Sequence, residues 1–208
     1  MPRISRIKQD VNSVILISSG STTTLSQEQV NEIALGLEQS NRRFIWVLRK
    51  GDNAEKLKDK VVKIELPEGF EVRVEGRGIM VNWATQLEFL GHSSTGGFMS
   101  HCGWNSCIES INMGVPIATR PISFDQPFNA ILVTNLLEIG ITVKCWSHRD
   151  ELVKASTIEK SIETLTSTIE GEEMRQTAME LSKKIKNSVS HGGLAREAME
   201  SFISHIIE

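Results

Sequence analysis

The chain alternates short apolar runs with segments of helical period, and this alternation restricts the folds open to it more than any other feature. The runs are SVILIS from Ser13, RRFIWVLR from Arg42, GIMV from Gly78, TGGFMS from Thr95, VPIAT from Val115 and ITVKC from Ile141. Each is too short for a buried helix, and most are rich in Val, Ile or Phe, as expected of strands covered on both faces. Between the first two runs, Ser26 with Gln29 three residues on forms a capping-box pattern, and Val30, Ile33, Ala34 and Leu37 share one helical face. Further helices are expected at TQLEFLG, at Asn105 to Met113, at Asp125 to Leu137, and from Leu152 almost to the end. Breaks in the last stretch are expected at Glu170-Gly171 and at His191-Gly192-Gly193. Residues 50–77 are polar and read mainly as a loop. The expected fold is α/β, a Rossmann-like, mostly parallel sheet with helices on both faces and a helical tail.

A chain of 208 residues can bury a real core. Its formal charge of -3 comes without a basic tract, which argues against nucleic acid as a partner. No apolar run is long enough for a membrane span and no signal pattern opens the chain, so a cytoplasmic location is expected. The three cysteines, Cys102, Cys107 and Cys145, are sparse and odd in number. They read as buried thiols rather than as a disulfide framework or a zinc site.

Parallel sheets of this kind bind ligands beyond the carboxyl ends of their strands. The unusual residues lie in those loops: Gly20-Ser21-Thr22, Asn82-Trp83, His101 to Ser106, and Arg120 to Gln126. A helix starting near Asn105 would turn free N–H groups and the positive end of its dipole toward the loop before it, a place for an anion. Asn105, Ser106 and His101 add donors, and Gly103 permits close backbone approach. Glu109 lies one turn beyond Asn105, where a carboxylate suits a pair of ribose hydroxyls. Trp83 offers a flat face to a base, and Asp125-Gln126 a polar pair to a sugar. Taken singly, Trp83 reads as a core residue, Glu109 as a solvated helix residue, Asp125 as an N-cap and His92 as a structural or capping histidine. Only the set, on these loops, points to a nucleotide-sugar.

The segment WATQLEFLGHSSTGGFMSHCGWNSCIESINMGVPIATRPISFDQ, Trp83 to Gln126, closely resembles the signature box of the plant UDP-dependent glycosyltransferases. SVILISSGSTTTLSQEQVNEIALGLEQSNRRFIWVLR and LPEGF extend the resemblance over nearly the whole chain. Within that family, GHSSTGGFMSHCGWNSCIES and DQPFNAILVTNLL are most similar to the zeatin (cytokinin) O-glycosyltransferases. The resemblance implies the C-terminal, donor-binding half of a GT-B enzyme that transfers a sugar, with inversion, from a UDP-sugar to a hydroxyl of a small molecule. By the same resemblance, Trp83 stacks on uracil, Ala84 bonds the base through its backbone, and Gln86 and Glu109 hold the ribose. His101, Asn105, Ser106 and Ser21 bind the diphosphate, and Trp104, Asp125 and Gln126 hold the sugar. Gln126 leans toward glucose, although zeatin-type relatives also transfer xylose. No metal or other cofactor is implied, and the sequence has no Asp-x-Asp motif. UDP-glucose or another UDP-sugar and a small-molecule acceptor are the implied partners.

The resemblance also implies an upstream acceptor domain that carries the catalytic histidine, so no general base is expected here. Residues 1–12 read as a linker remnant, 13–187 as the UDP-sugar-binding domain, and 188–208 as a C-terminal helix that packs toward the absent domain. Its SFISHII segment would then expose apolar surface, with self-association as the expected consequence. The chain departs from the family pattern at Ser19 (usually Phe), at Thr85 (usually Pro), in a segment before Trp83 that is one residue short, and at Arg120 (commonly Trp). Arg120 is expected to bring a charge near the sugar. The alternatives left open are a non-catalytic module that binds UDP-sugar without transfer, and a folded remnant that binds nothing.

Overall fold

In the structure, a computed structural model, residues 10–20, 25–48, 56–57, 60–61 and 65–207 are described. Most of the expected linker remnant and Ser21 lie outside these residues. Each apolar run holds or overlaps a strand: β1 (Val14–Ser18), β2 (Arg43–Val47), β5 (Gly78–Val81), β6 (Thr95–Ser100), β7 (Ile117–Thr119) and β8 (Gly140–Thr142), the last starting one residue before its run and ending at Thr142. They pair in parallel in the order β5-β2-β1-β6-β7-β8. Chain order reverses between β1 and β6, the switch point at which open parallel sheets form a ligand crevice. Within the stretch read as a loop, β3 (Lys56–Leu57) and β4 (Lys60–Val61) form a two-residue antiparallel pair, and α2 (Phe70–Arg73) is one turn of helix.

Helices cover both faces. Every residue of β1 is buried, and its side chains alternate between two cores. Ile15 and Ile17 join Val30, Ile33, Ala34 and Leu37 of α1 (Gln27–Gln39) and Ile158, Ile162 and Leu165 of α6 (Ala155–Ser167). Val14 and Leu16 face the other way, onto Phe89 and Leu90 of α3 (Gln86–Leu90) and Phe98 of β6. A third cluster joins Cys107 and Ile111 of α4 (Trp104–Met113), Ile117, Ala130 of α5 (Gln126–Ile131) and Ala178 of α7 (Ile169–Val189). The buried Arg175 of α7 ties the layers together by donating to the carbonyls of Gly96 and Leu165.

Three expectations are corrected. The break in the C-terminal helices falls at Thr168, whose hydroxyl accepts from Gly171 N–H and caps α7. Gly171 therefore sits in a first turn and breaks nothing. Its role is close packing, because a Cβ there would stand 2.1 Å from the carbonyl oxygen of Thr164. The helix expected from Asp125 to Leu137 is α-helical only to Ile131 and continues as a π-turn, Leu132–Leu136, with Leu137 N–H bonded to Leu132. Cys102 and Cys107 are buried free thiols as expected, but Cys145 is exposed.

The last helix, α8 (Leu194–Ile207), packs on α7 and has no buried residue. Phe202 and Ile206 are 65% and 64% exposed. Sedimentation at rising concentration is expected to show association of the chain, and changing Phe202 and Ile206 to Ser should remove most of it. Wild-type chain that stays monomeric at high concentration would refute this.

Candidate functional site

A cleft of about 540 Å³ opens at the switch point, walled by the ends of β1 and β2, the Trp83–Gln86 segment after β5, and the His101–Glu109 segment after β6. Trp83, Ala84, Gln86, His101, Trp104, Asn105, Ser106 and Glu109 all line it. These eight expected site residues come from two separate segments, each a strand-end loop running into a helix, and meet because the parallel strands end on one edge. Ser21 lies outside the described residues. Asp125 and Gln126 do not line the cleft, although the charge of Asp125 reaches His101.

At one end, Trp83 is 58% exposed, leaving its indole accessible. In the middle, Gln86, the first residue of α3, donates through Nε2 to Ser106 Oγ at 3.0 Å and to Glu109 Oε2 at 2.8 Å. An amide, a hydroxyl and a carboxylate from two helices are thus joined by hydrogen bonds through one side chain. At the other end is the start of α4, one residue earlier than the sequence suggested. Its N-cap is Gly103, and no side chain caps it. The first-turn N–H groups of such a helix have no partner within the helix and carry the positive end of its dipole, a ready site for an anion. The sharp turn from β6 into α4 passes through Cys102 at φ 63°, with its N–H bonded to Ser100 Oγ.

His101 sits on this turn, and two glycines make room for it. A Cβ on Gly103 would lie 2.6 Å from His101 Nε2, and one on Gly20, at φ +85°, would lie 2.5 Å from the same atom. Gly20 is thus a site residue through the space it leaves, a role that its place in a small-residue loop did not reveal. The Nδ1 of His101 is buried without a hydrogen-bond partner, the sort of orphan that marks a functional position. Burial pushes the imidazole below its ordinary value of 6.5. Asp125 opposes the shift and Arg120 adds to it. His101 is therefore neutral at neutral pH.

The remaining candidates lie off this cleft. Asp125 holds the N-cap position of α5 without capping it, because its helical backbone (φ -77°, ψ -12°) aims the carboxylate at Asn129 Nδ2, 2.8 Å away. Gln126 is buried, and its Oε1 accepts from the N–H groups of Ile122 and Ser123, both at 2.9 Å. His92 accepts the N–H of Ser94 through Nδ1, in line with its structural reading. Arg120 is 6% exposed and faces a different cleft. Among the described residues there is no group of three or more His, Cys, Asp or Glu able to hold a metal ion, and no helix is long and apolar enough to cross a membrane.

Strand order, a crevice at the switch point and an uncapped helix beneath it define a Rossmann-like α/β domain. The sequence model of the family described as "UDP-glucoronosyl and UDP-glucosyl transferase" matches residues 6–189, and the chain belongs to that family. It is 56% identical over 201 residues to zeatin O-glucosyltransferase of Phaseolus lunatus and 53% identical over 201 residues to zeatin O-xylosyltransferase of Phaseolus vulgaris. Each match covers 96% of this chain and 44% of the relative, so the chain spans less than half the length of these curated relatives. Among solved structures, Phytolacca americana UGT2 complexed with UDP-2fluoro-glucose and pterostilbene superposes with a TM-score of 0.83 at 36% identity, over 95% of this chain and 42% of that one.

Proposed function

We propose that the cleft holds a UDP-sugar, and that the chain is the donor-binding half of an enzyme that passes the sugar to a hydroxyl of a small molecule such as a cytokinin. The hydrogen-bonded Gln86–Ser106–Glu109 cluster, between an accessible tryptophan and an uncapped helix start, carries this reading. Uracil stacks on Trp83 and bonds the backbone of Ala84. The ribose hydroxyls donate to Glu109, with Gln86 alongside. The diphosphate lies against the first turn of α4, where His101, Asn105 and Ser106 reach it, with Ser21 assisting. The sugar lies toward Trp104, Asp125 and Gln126. Gln126 favours glucose, and the likeness to a xylosyltransferase makes xylose the alternative.

In the reaction, an acceptor oxygen attacks the anomeric carbon as the bond to the diphosphate breaks on the opposite face, so configuration inverts. The attacking hydroxyl loses its proton to a general base supplied from the acceptor-binding part of the enzyme. Negative charge builds on the departing diphosphate, and fixed N–H dipoles and His101 stabilise it without a metal. We assign the activity to the cytoplasm and to plant secondary metabolism. Residues 13–187 would form the donor domain, with 188–208 packing toward the acceptor domain.

The ribose assignment is tested with dUDP, which lacks one of the two hydroxyls. It should bind at least about 10-fold more weakly than UDP, and equal affinity would remove Glu109 and Gln86 from the account. Transfer is tested with UDP-glucose and zeatin. Glucosylated product supports catalysis, whereas donor binding without product favours the non-catalytic reading.

His101 predicts a pH dependence. Its lowered pKa means that the neutral form is favoured in the fold. That contribution to stability is complete above the unfolded value of 6.5 and is lost as pH falls through the lowered one. A bound diphosphate favours the imidazolium and raises this pKa. UDP-glucose, whose own phosphates do not titrate here, should therefore bind roughly 3-fold or more tightly as pH falls from about 7.5 to about 5.5, with protons taken up. Calorimetry in buffers of different ionisation enthalpy measures the uptake, and the effect should vanish in His101→Ala.

A further inference from the structure

A second cleft, of about 410 Å³, lies between the first turn of α1, the loops after β7 and β8, and the segment leading to α6, and it shares no lining residue with the donor cleft. Arg120 forms part of its wall. This side chain is only 6% exposed, its Nε is buried with no hydrogen-bond partner, and its guanidinium pairs with no carboxylate among the described residues. Burial alone lowers its pKa to about 10, so it remains charged at neutral pH. A buried cation without a counter-charge is costly, and a fold that keeps one usually meets its partner from outside.

Lys144, on the same cleft, is half-buried. Burial lowers its pKa, and the nearby charge of Arg120 lowers it further. The carboxylates around the cleft do not compensate this pair. Glu28 is held by its own backbone N–H and by Ser26. Asp150 stands 3.9 Å from Arg149, which also covers the Trp146 ring. Asp150 and Glu151 act on Lys144, yet its net shift stays downward, and neither acts on Arg120.

We propose that this second cleft binds a small oxyanion, a carboxylate or phosphate group, between the Arg120 guanidinium and the Lys144 ammonium. The planar guanidinium offers paired donors to either group, and the ammonium adds a point charge. The charge of Arg120 also reaches His101, which links the two clefts.

The test is titration of inorganic phosphate and, separately, of acetate into the full chain, followed by amide chemical shifts. Saturable binding of at least one probe is expected, and comparison of the two shows whether phosphate or carboxylate is preferred. It should weaken at least about 10-fold in Arg120→Met and about 3-fold or more in Lys144→Met, and change less than about 2-fold in Asn105→Ala, which alters only the donor cleft. Loss in Asn105→Ala with retention in Arg120→Met would place the anion in the donor cleft and overturn the proposal. Absence of saturable binding by either probe would do the same. Without anion, Arg120→Met should melt at or above the wild-type temperature, because it removes an unpaired buried charge. A marked drop would mean that the guanidinium is already satisfied within the fold, and the site would be withdrawn.

Discussion

Glu109→Ala is expected to weaken UDP-glucose binding by about 30-fold, or about 2 kcal/mol. A carboxylate that accepts from two ribose hydroxyls makes charge-assisted bonds, each stronger than a neutral pair, and alanine removes both at once. The effect should be specific to the ligand. Within the fold, Glu109 accepts from Gln86, and Gln86 keeps its bond to Ser106 when Glu109 is gone. Chemical denaturation of the variant should therefore show a loss below about 1 kcal/mol. Glu109→Gln keeps the shape and loses the charge, so its affinity should fall between the two. Calorimetry on all three proteins decides the matter, and an unchanged affinity in Glu109→Ala would remove the ribose from this part of the cleft.

Gly20→Ala is expected to lower stability by about 3 kcal/mol and to impair donor binding as well. Two costs combine. The residue sits at φ +85°, where a side chain is strained, and the new Cβ would meet the His101 ring at 2.5 Å. Gly76 separates them. It has φ +79° but nothing within 4 Å of a built Cβ, so Gly76→Ala should cost only the conformational part, about 1 kcal/mol. Denaturation midpoints of the two variants give the difference, which measures how firmly His101 is held. Equal losses would mean that the ring moves aside freely.

The fold was legible because its signals were local. The short runs VILI and GGFM announced β1 and β6, and Ser26 announced the start of α1, where its hydroxyl accepts from Gln29 N–H. The second half of that capping box did not form. The amide of Gln29 instead bonds both backbone groups of Val153, a partner 124 residues away that no local pattern could name. Gly171 was misread for the same reason, since its need for space comes from the carbonyl of Thr164 and not from a bend in its own segment. Most of the cleft lining was legible as well, because eight of the chosen residues lay on segments that a parallel sheet brings to one edge. What stayed hidden was direction. Nothing in ATRPISFDQ tells that Arg120 turns into a separate cleft, or that Gln126 folds its carbonyl back onto Ile122 and Ser123.

The most direct measurement of the central claim is a calorimetric titration of UDP-glucose into the chain as it stands. The assembled cluster, the accessible indole and the uncapped helix predict saturable binding at one site per chain, with UDP competing for it. A chain that is folded by circular dichroism yet takes up no UDP-glucose would contradict the account, and its membership of the family would then describe descent without a working donor site.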